Sequence, residues 1–340
     1  MNGYIITIDG GTTNTRCILW NEQRKMLSDA KRDIGVRCTS VDGNNIRLTK
    51  AVKECIDEVL EKAGIPCKSV SCILGSGMIT SDLGLCTVPW ITAPAGIEEL
   101  ADNIRTVSIP EICPVPFKFI PGIKNGSGPF KLENIGSMDI MRGEEAESIA
   151  ILSSVSGNRE KLLVLPGSHN KFIPVSREGK ILGCITSISG ELLSCITNNT
   201  VIAKSVEKSF VSPEDYDREM VLAGYEEARK QGLGKACFTG RVLMLFTEHG
   251  PKDIANYILG ASIADDLLAL KNSSAFRISC DTQVIVAGKE PLQSAITDIF
   301  RQDGYFQEVC AYENKENIPL SAIGQYLIAE REEVQRTGWG

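Results

Sequence analysis

The chain has 340 residues, 43% of them apolar and 23% charged, which is enough for about two globular domains with real cores. Its net charge of −7 and isoelectric point near 5.2 argue against a general nucleic-acid or anionic-membrane surface, though not against a small acidic substrate. "MNGYIITIDG" lacks a basic region followed by an apolar core, and no apolar run approaches the ~18 residues of a membrane span, so a cytoplasmic protein is expected.

In chain order, "YIITID" (4–9) is rich in β-branched residues and reads as a strand that stops at an acid. A small polar turn leads to "RCILW" (16–20) and to "KMLSDAKRD" (25–33) as further antiparallel strands. Val52, Ile56, Val59, Leu60 and Ala63 recur at helical spacing, and Gly64 is the stop. "SVSCILGSG" (69–77) reads as a short strand ending in glycines. The Pro- and Gly-rich ground from Pro89 to Gly122 is expected to be loop, broken by a helix over 96–107. Residues 142–155 read as an amphipathic helix with acids in its first turn, where the helix dipole favours them.

The opening pattern then returns. "KLLVLPGSHNKFIPV" (161–175) is again strand, small polar turn, strand, and residues 179–193 add another strand and a turn. Helices are expected near 213–230 and 251–271, a strand, glycine turn and helix over 283–300, and a last helix over 320–334. Hairpins followed by strands and helices, twice over, predict α/β sheets of mixed strand direction in two similar domains, 1–157 and 158–340, facing a cleft.

The twelve cysteines contain no Cys-x-x-Cys, and His169 and His249 are the only histidines, so no structural metal is expected. The thiols read as small buried hydrophobes of a reducing compartment. The pairs Gly179-Lys180, Gly234-Lys235 and Gly288-Lys289 lack the Ser or Thr and the upstream Gly of a P-loop, and no G-x-G-x-x-G turn occurs. The opening hairpin, "IDGGTTNTR" (8–16), is another way to hold phosphate. Gly10 and Gly11 let backbone N–H groups approach an anion, and Thr12, Thr13 and Asn14 add donors. Asp9, at the strand end, is placed to hold Mg²⁺ through water. A plain tight hairpin explains the same residues. The second hairpin tips the balance, because Gly167, Ser168, His169 and Asn170 parallel Gly10 to Thr13. A strand ending at Gly288 is a place for adenine to lie against backbone.

These pieces, in this order, resemble the actin-like ATPase and sugar-kinase superfamily, and more closely the 2-dehydro-3-deoxygalactonokinase family. The resemblance rests on "IDGGTTNTR", "GMITS" (77–81), "APAGIEELA" (93–101), "FIPGI" (119–123), "DIMRGEEAE" (139–147), "LPGSHNKF" (165–172) and "SGELL" (189–193), and spans nearly the whole chain. Departures occur: members often carry Trp where Gly10 stands, Trp where Phe172 stands and Gly where Thr80 stands.

The resemblance implies two ribonuclease-H-like domains with ATP between them, and phosphorylation of 2-dehydro-3-deoxy-D-galactonate at its 6-hydroxyl. Its implied partners are that sugar acid, ATP and Mg²⁺, with neither nucleic acid nor membrane, and a homodimer is left open. Related sugar kinases place a catalytic carboxylate at the N-terminus of the helix before the second phosphate loop, which makes Glu144 the first choice as base and Glu145 and Asp139 its rivals. Arg142 and then Arg16 are the choices for the substrate carboxylate. Ser76, Gly77, Met78 and Ala95 are expected to line the sugar pocket, with Thr186, Ser187, Ser189 and Glu191 in the phosphate or sugar wall. Lys171 faces either a phosphate or solvent. The alternatives are a kinase of another sugar or keto-deoxy acid, or a regulatory ATPase of the same fold.

Overall fold

A computed structural model describes residues 3–126 and 128–337. The first half runs β1 (Tyr4–Gly10), β2 (Thr15–Trp20), β3 (Met26–Arg32), α1 (Arg37–Asp42), α2 (Ile46–Ala63), β4 (Val70–Gly77), β5 (Ile91–Thr92), α3 (Ile97–Asp102), β6 (Arg105–Ile109), β7 (Cys113–Phe119), β8 (Ile123–Lys124), β9 (Ile140–Met141) and α4 (Glu144–Ser154). The second half runs β10 (Lys161–Leu165), β11 (Asn170–Val175), β12 (Ile185–Ser187), α5 (Ser189–Asn199), α6 (Arg218–Gln231), α7 (Leu233–Phe246), α8 (Pro251–Lys271), β13 (Gln283–Val286), α9 (Leu292–Asp303), β14 (Glu308–Ala311) and α10 (Leu320–Thr337).

Two mixed sheets carry most of the strands, and β5, β8 and β9 form a small third sheet in the order β5-β8-β9. The first has the order β3-β2-β1-β4-β7-β6 and the second β12-β11-β10-β13-β14. In each, an antiparallel three-stranded meander is followed by two parallel strands, so the second sheet repeats the first five strands of the first. The sequence echo at residue 161 is therefore a repeat of topology. Alternating apolar residues of β1 split between two cores. Ile6 and Ile8 face α2 (with Val52, Ile56 and Val59), while Ile5 faces α10 (with Tyr326 and Ala329). A third cluster joins the halves: Ile149 and Ile151 of α4 pack with Leu163 and Ile173 of the second sheet and with Ile328 of α10.

Local expectations fail where tertiary pairing overrides them. The helix expected over 96–107 stops at Asp102, and residues 105–109 form β6 instead. The Pro-rich stretch contains β7, which pairs with β4 only from Phe117 onward. Pro114 and Pro116 precede that pairing, so their missing N–H groups cost no ladder bond to β4. The turn expected after residue 187 is the start of α5. Helix α7, absent from the sequence reading, has glycines at both flanks and an apolar surface without a clear stripe. Strand β14 was likewise not expected.

Candidate functional site

The strand ends β1, β10 and β13 and the N-terminus of α4 meet around two adjoining cavities of about 740 and 880 Å³. Asp9, Glu147, Leu165, Pro166 and Gly167 line both, so the boundary between the two chambers is the end of β1, the turn between β10 and β11 and one face of α4.

The smaller chamber gathers most of the expected residues. Gly10, Gly11 and Thr12 approach from one lobe, and Ser168, His169 and Lys171 from the other. Gly77, Met78, Asp139, Arg142 and Glu144 complete the wall. The larger chamber is lined by Asn14, Arg16 and Gly288, with Gln293, Asn314 and Asn317. Arg16 is thus on the side away from Arg142. Some expected residues line neither chamber. Ser76, Ala95 and Glu145 are fully buried, Ser189 is buried with its hydroxyl donating to Asp266 Oδ1 at 2.6 Å, Ser187 pairs with the Ser189 hydroxyl, Thr13 is exposed on the turn, and Glu191 stands outside, 3.2 Å from His169 Nε2.

The acids of α4 are sorted by helical phase. Gly143, at φ +117°, turns the chain into the helix, a conformation costly for any residue with a Cβ. Glu144 begins α4, lines the smaller chamber and accepts the Arg142 N–H at 3.0 Å. Glu145, one residue round, folds back and accepts the Gly143 N–H on both oxygens, at 2.9 and 2.8 Å. Glu147, three residues beyond Glu144, returns to the same face and lines both chambers. Glu147 is not among the residues expected from the sequence, although its i, i+3 spacing from Glu144 is an available signal. Burial and the charges of Asp9, Glu144 and Glu145 push Glu147 up to about 8.

Glu145 is likewise pushed from its ordinary 4.5 up to about 8, by burial and then by Glu144. A carboxyl that holds its proton more tightly folded than unfolded gives a stability that falls as pH rises between those values. Thermal unfolding of the wild type is therefore expected to lose stability from about pH 5 to pH 8. Glu145→Gln, which keeps the acceptor for Gly143, should flatten that slope by a few kcal/mol; an unchanged slope would refute the buried neutral carboxyl.

Asp9 is held at the β1 terminus by α10. Ser321 Oγ donates to its Oδ2 at 2.9 Å, and Gln325 bridges Ile8 N, Ile8 O and Ser76 Oγ. Burial raises the Asp9 carboxyl above its usual range, with Ser321 and Arg16 pulling it back. Asp139 is spent on structure: it accepts from Thr186 N (2.6 Å), Thr186 Oγ1 (2.8 Å) and Ile140 N (2.7 Å). Lys171 is buried and donates to Ile140 O and Thr186 Oγ1, both at 2.7 Å, so it faces the chamber and not solvent.

Arg142 is fixed from three sides. Nη1 donates to Thr80 O (2.8 Å) and Thr80 Oγ1 (2.5 Å), and Nη2 donates to Val88 O (3.0 Å). Its Cζ lies 4.3 Å from the centre of the Trp90 ring, and its buried Nε has no partner among the described residues. Trp90, Ser81 and Asp82 also line the chamber and are not among the expected residues, because they lie in stretches without periodicity.

The departure at Gly10 has a steric cause. A Cβ there would come 2.5 Å from Ile79 Cβ, so Ile79 fills the space into which a side chain at position 10 would grow. The turn between β10 and β11 is held by an equally close approach, since a Cβ on Gly190 would meet Gly167 O at 2.0 Å.

All twelve cysteines are free. Among the described residues no cluster of three or more His, Cys, Asp or Glu is placed to hold a metal ion, and no helix is long and apolar enough to cross a membrane.

The sequence profile of the 2-keto-3-deoxy-galactonokinase family matches residues 9–320. Among solved structures, one from Sinorhizobium meliloti described as a candidate 2-dehydro-3-deoxygalactonokinase is 17% identical, with 98% of this chain and 99% of that chain covered and a TM-score of 0.69. That similarity shows the fold, a mixed α/β architecture. Component A of (R)-2-hydroxyglutaryl-CoA dehydratase from Acidaminococcus fermentans is 12% identical, covering 99% of this chain and 100% of that one, with a TM-score of 0.49. No curated protein matches this chain by sequence.

Proposed function

Because this chain belongs to the 2-keto-3-deoxy-galactonokinase family, and is thereby a phosphotransferase with an alcohol group as acceptor, we propose that it transfers the γ-phosphoryl group of ATP to the 6-hydroxyl of 2-dehydro-3-deoxy-D-galactonate. The observation that carries the reading is the pair of adjoining chambers that share Asp9, Glu147 and Gly167. In this reading the nucleoside occupies the larger chamber, against Gly288, and the sugar acid the smaller. The transferred group passes where they meet. Residues 1–157 carry the first phosphate hairpin and most of the sugar-acid site. Residues 158–340 carry the second hairpin and the adenosine turn, with α10 returning to brace the first lobe.

Phosphoryl transfer asks for positioning, charge neutralisation and a base near the attacking hydroxyl. The backbone N–H groups of Gly10, Gly11 and Thr12 and of Gly167 and Ser168 supply donors from two sides. Lys171 adds a buried cation, and His169 a further donor. Glu144 is the base: it lies in the chamber at a helix N-terminus, with one oxygen tied to Arg142 N and the other free to take a proton. Asp139 is poorly suited because Thr186 and Ile140 occupy its lone pairs, and Glu145 because it turns away.

Asp9 and Glu147 fit a Mg²⁺ that keeps most of its waters and binds through one or two carboxylates and the phosphates of the nucleotide, which needs no cage of three protein ligands. When bound, that ion offsets the charge of the phosphates. Closure of the lobes over both ligands excludes water and suppresses ATP hydrolysis.

The test is a panel of sugar acids and neutral sugars, read as phosphorylated product. Product from one 2-keto-3-deoxy acid alone supports the proposal, while equal ATP turnover without any acid supports a regulatory ATPase instead. Arg142, which lines the smaller chamber, is the proposed partner of the substrate carboxylate. Arg142→Lys is expected to raise the KM for the sugar acid roughly 10–100-fold, the value of a lost charge-assisted pair, with a smaller change in kcat. An unchanged KM would remove Arg142 from that role.

A further inference from the structure

Helix α8 is buried over most of its length, and its Ile263, Ala264, Leu267 and Leu270 sit in the core of the second lobe. Asp266 stands among them, 1% exposed. The groups that act on it are Ser187, Ser189, Asn170 and the like-charged Asp265, and none is a cation. A buried carboxylate is costly unless donors surround it. Asn170 Nδ2 donates to Asp266 Oδ2 at 2.8 Å, and Ser189 Oγ donates to Asp266 Oδ1 at 2.6 Å. Both donors lead to the turn between β10 and β11. Asn170 Oδ1 accepts the Gly167 N–H at 3.0 Å, a bond that a second acceptor can share. Next to Ser189, Gly190 lies against Gly167 O, and Glu191 N donates to Ser168 O at 3.0 Å. Asp266 thus holds the turn from two sides, yet it lines neither chamber and has no part in the proposed chemistry.

We propose that Asp266 is a positioning residue, which fixes Asn170 and the start of α5 and through them sets the backbone of Gly167 and Ser168 to receive a phosphate of the nucleotide. The role rests on the reading of this turn as a phosphate loop. Donors that stabilise transferred charge must be aimed before the reaction, so that none has to reorganise during it. A turn of glycine and serine has much freedom to lose and needs outside contacts to hold one shape. Asp266 supplies them by using one carboxylate oxygen for each side. An apolar residue at this position would release both sides. An Asn would keep an oxygen for Asn170, and its amide would meet Ser189 Oγ, which accepts as readily as it donates.

The experiment uses the full chain with Asp266→Ala and Asp266→Asn, read by amide hydrogen exchange without ligand and by kinetics. In Asp266→Ala the amides of Gly167 and Glu191 should exchange about tenfold faster, the size of one lost buried hydrogen bond. The KM for ATP should rise about tenfold, while the KM for the sugar acid stays within about twofold. Asp266→Asn should bring both readouts back to within about threefold of the wild type. Calorimetric ATP affinity should fall by the same factor as the KM rises, which keeps the test independent of which acid is the substrate. If Asp266→Ala does not fold, Asn170→Ala and Ser189→Ala cut the two sides separately, and each should weaken ATP binding. A lower melting temperature with exchange and ATP affinity unchanged overturns the proposal, since Asp266 then serves only the packing of α8. An equal rise in both KM values overturns it as well, because a general loosening of the site moves both. Faster exchange at the two amides with unchanged ATP affinity also overturns it. In that case the phosphate role of the turn has failed, and the contact to Asp266 has not.

Discussion

Glu144→Gln is expected to lower phosphoryl transfer by about 10²–10⁴-fold, the usual contribution of a positioned base, while ATP binding stays within about threefold of the wild type. The amide keeps an oxygen for the Arg142 N–H, so the helix start is preserved and only proton acceptance is lost. Rapid-quench turnover and calorimetric ATP titration measure the two halves of this expectation. A variant that retains full kcat would exclude Glu144 as base and bring Glu147, on the same helix face, forward. Glu145→Gln serves as the control. Its carboxyl is turned into the helix start, so its kcat should change far less than that of Glu144→Gln.

The second large effect concerns the phosphate loop. Gly190→Ala should weaken ATP binding by about 10–100-fold, although Ala is the better helix former by about 1 kcal/mol. The added methyl would sit 2.0 Å from Gly167 O, so either α5 or the loop at 167–169 must move. Overpacking of this kind typically costs 1–3 kcal/mol. The loop is the softer partner, and its backbone N–H groups are the proposed phosphate donors. Calorimetry and a thermal melt separate the two consequences. Wild-type affinity together with a wild-type melt would show that the contact relaxes freely and that "SGELL" has no part in shaping the loop.

Much of the site was legible because it sits at strand ends with local signatures. Asp9 and Gly10 close β1, and Gly167 follows β10, so an apolar run meeting small polar residues marks both loops. The acids after Gly143 were equally visible, but choosing between them needed helical phase. Glu144 and Glu147 share a face, while Glu145, about 100° round, does not. Trp90 and Asp82 lie in a segment without periodicity. Trp90 lines the chamber with the Arg142 guanidinium over its ring, itself pinned to Thr80 and Val88.

The amino-acid pattern alone reveals the repeated hairpin plan, the family and the two small polar turns after β1 and β10, because strand patterning and turn chemistry are local and act over a few residues. Long-range packing sets which polar residues line the two chambers. Contacts between residues far apart in the chain set this: Ser321 on Asp9 across 312 residues, Thr186 on Asp139 across 47 and Gly190 against Gly167. The same packing sets Asp266 of α8 against Asn170 across 96 residues. An acid on the buried side of a helix carries no local sign of its partners, and only packing supplies the donors that a buried carboxylate needs.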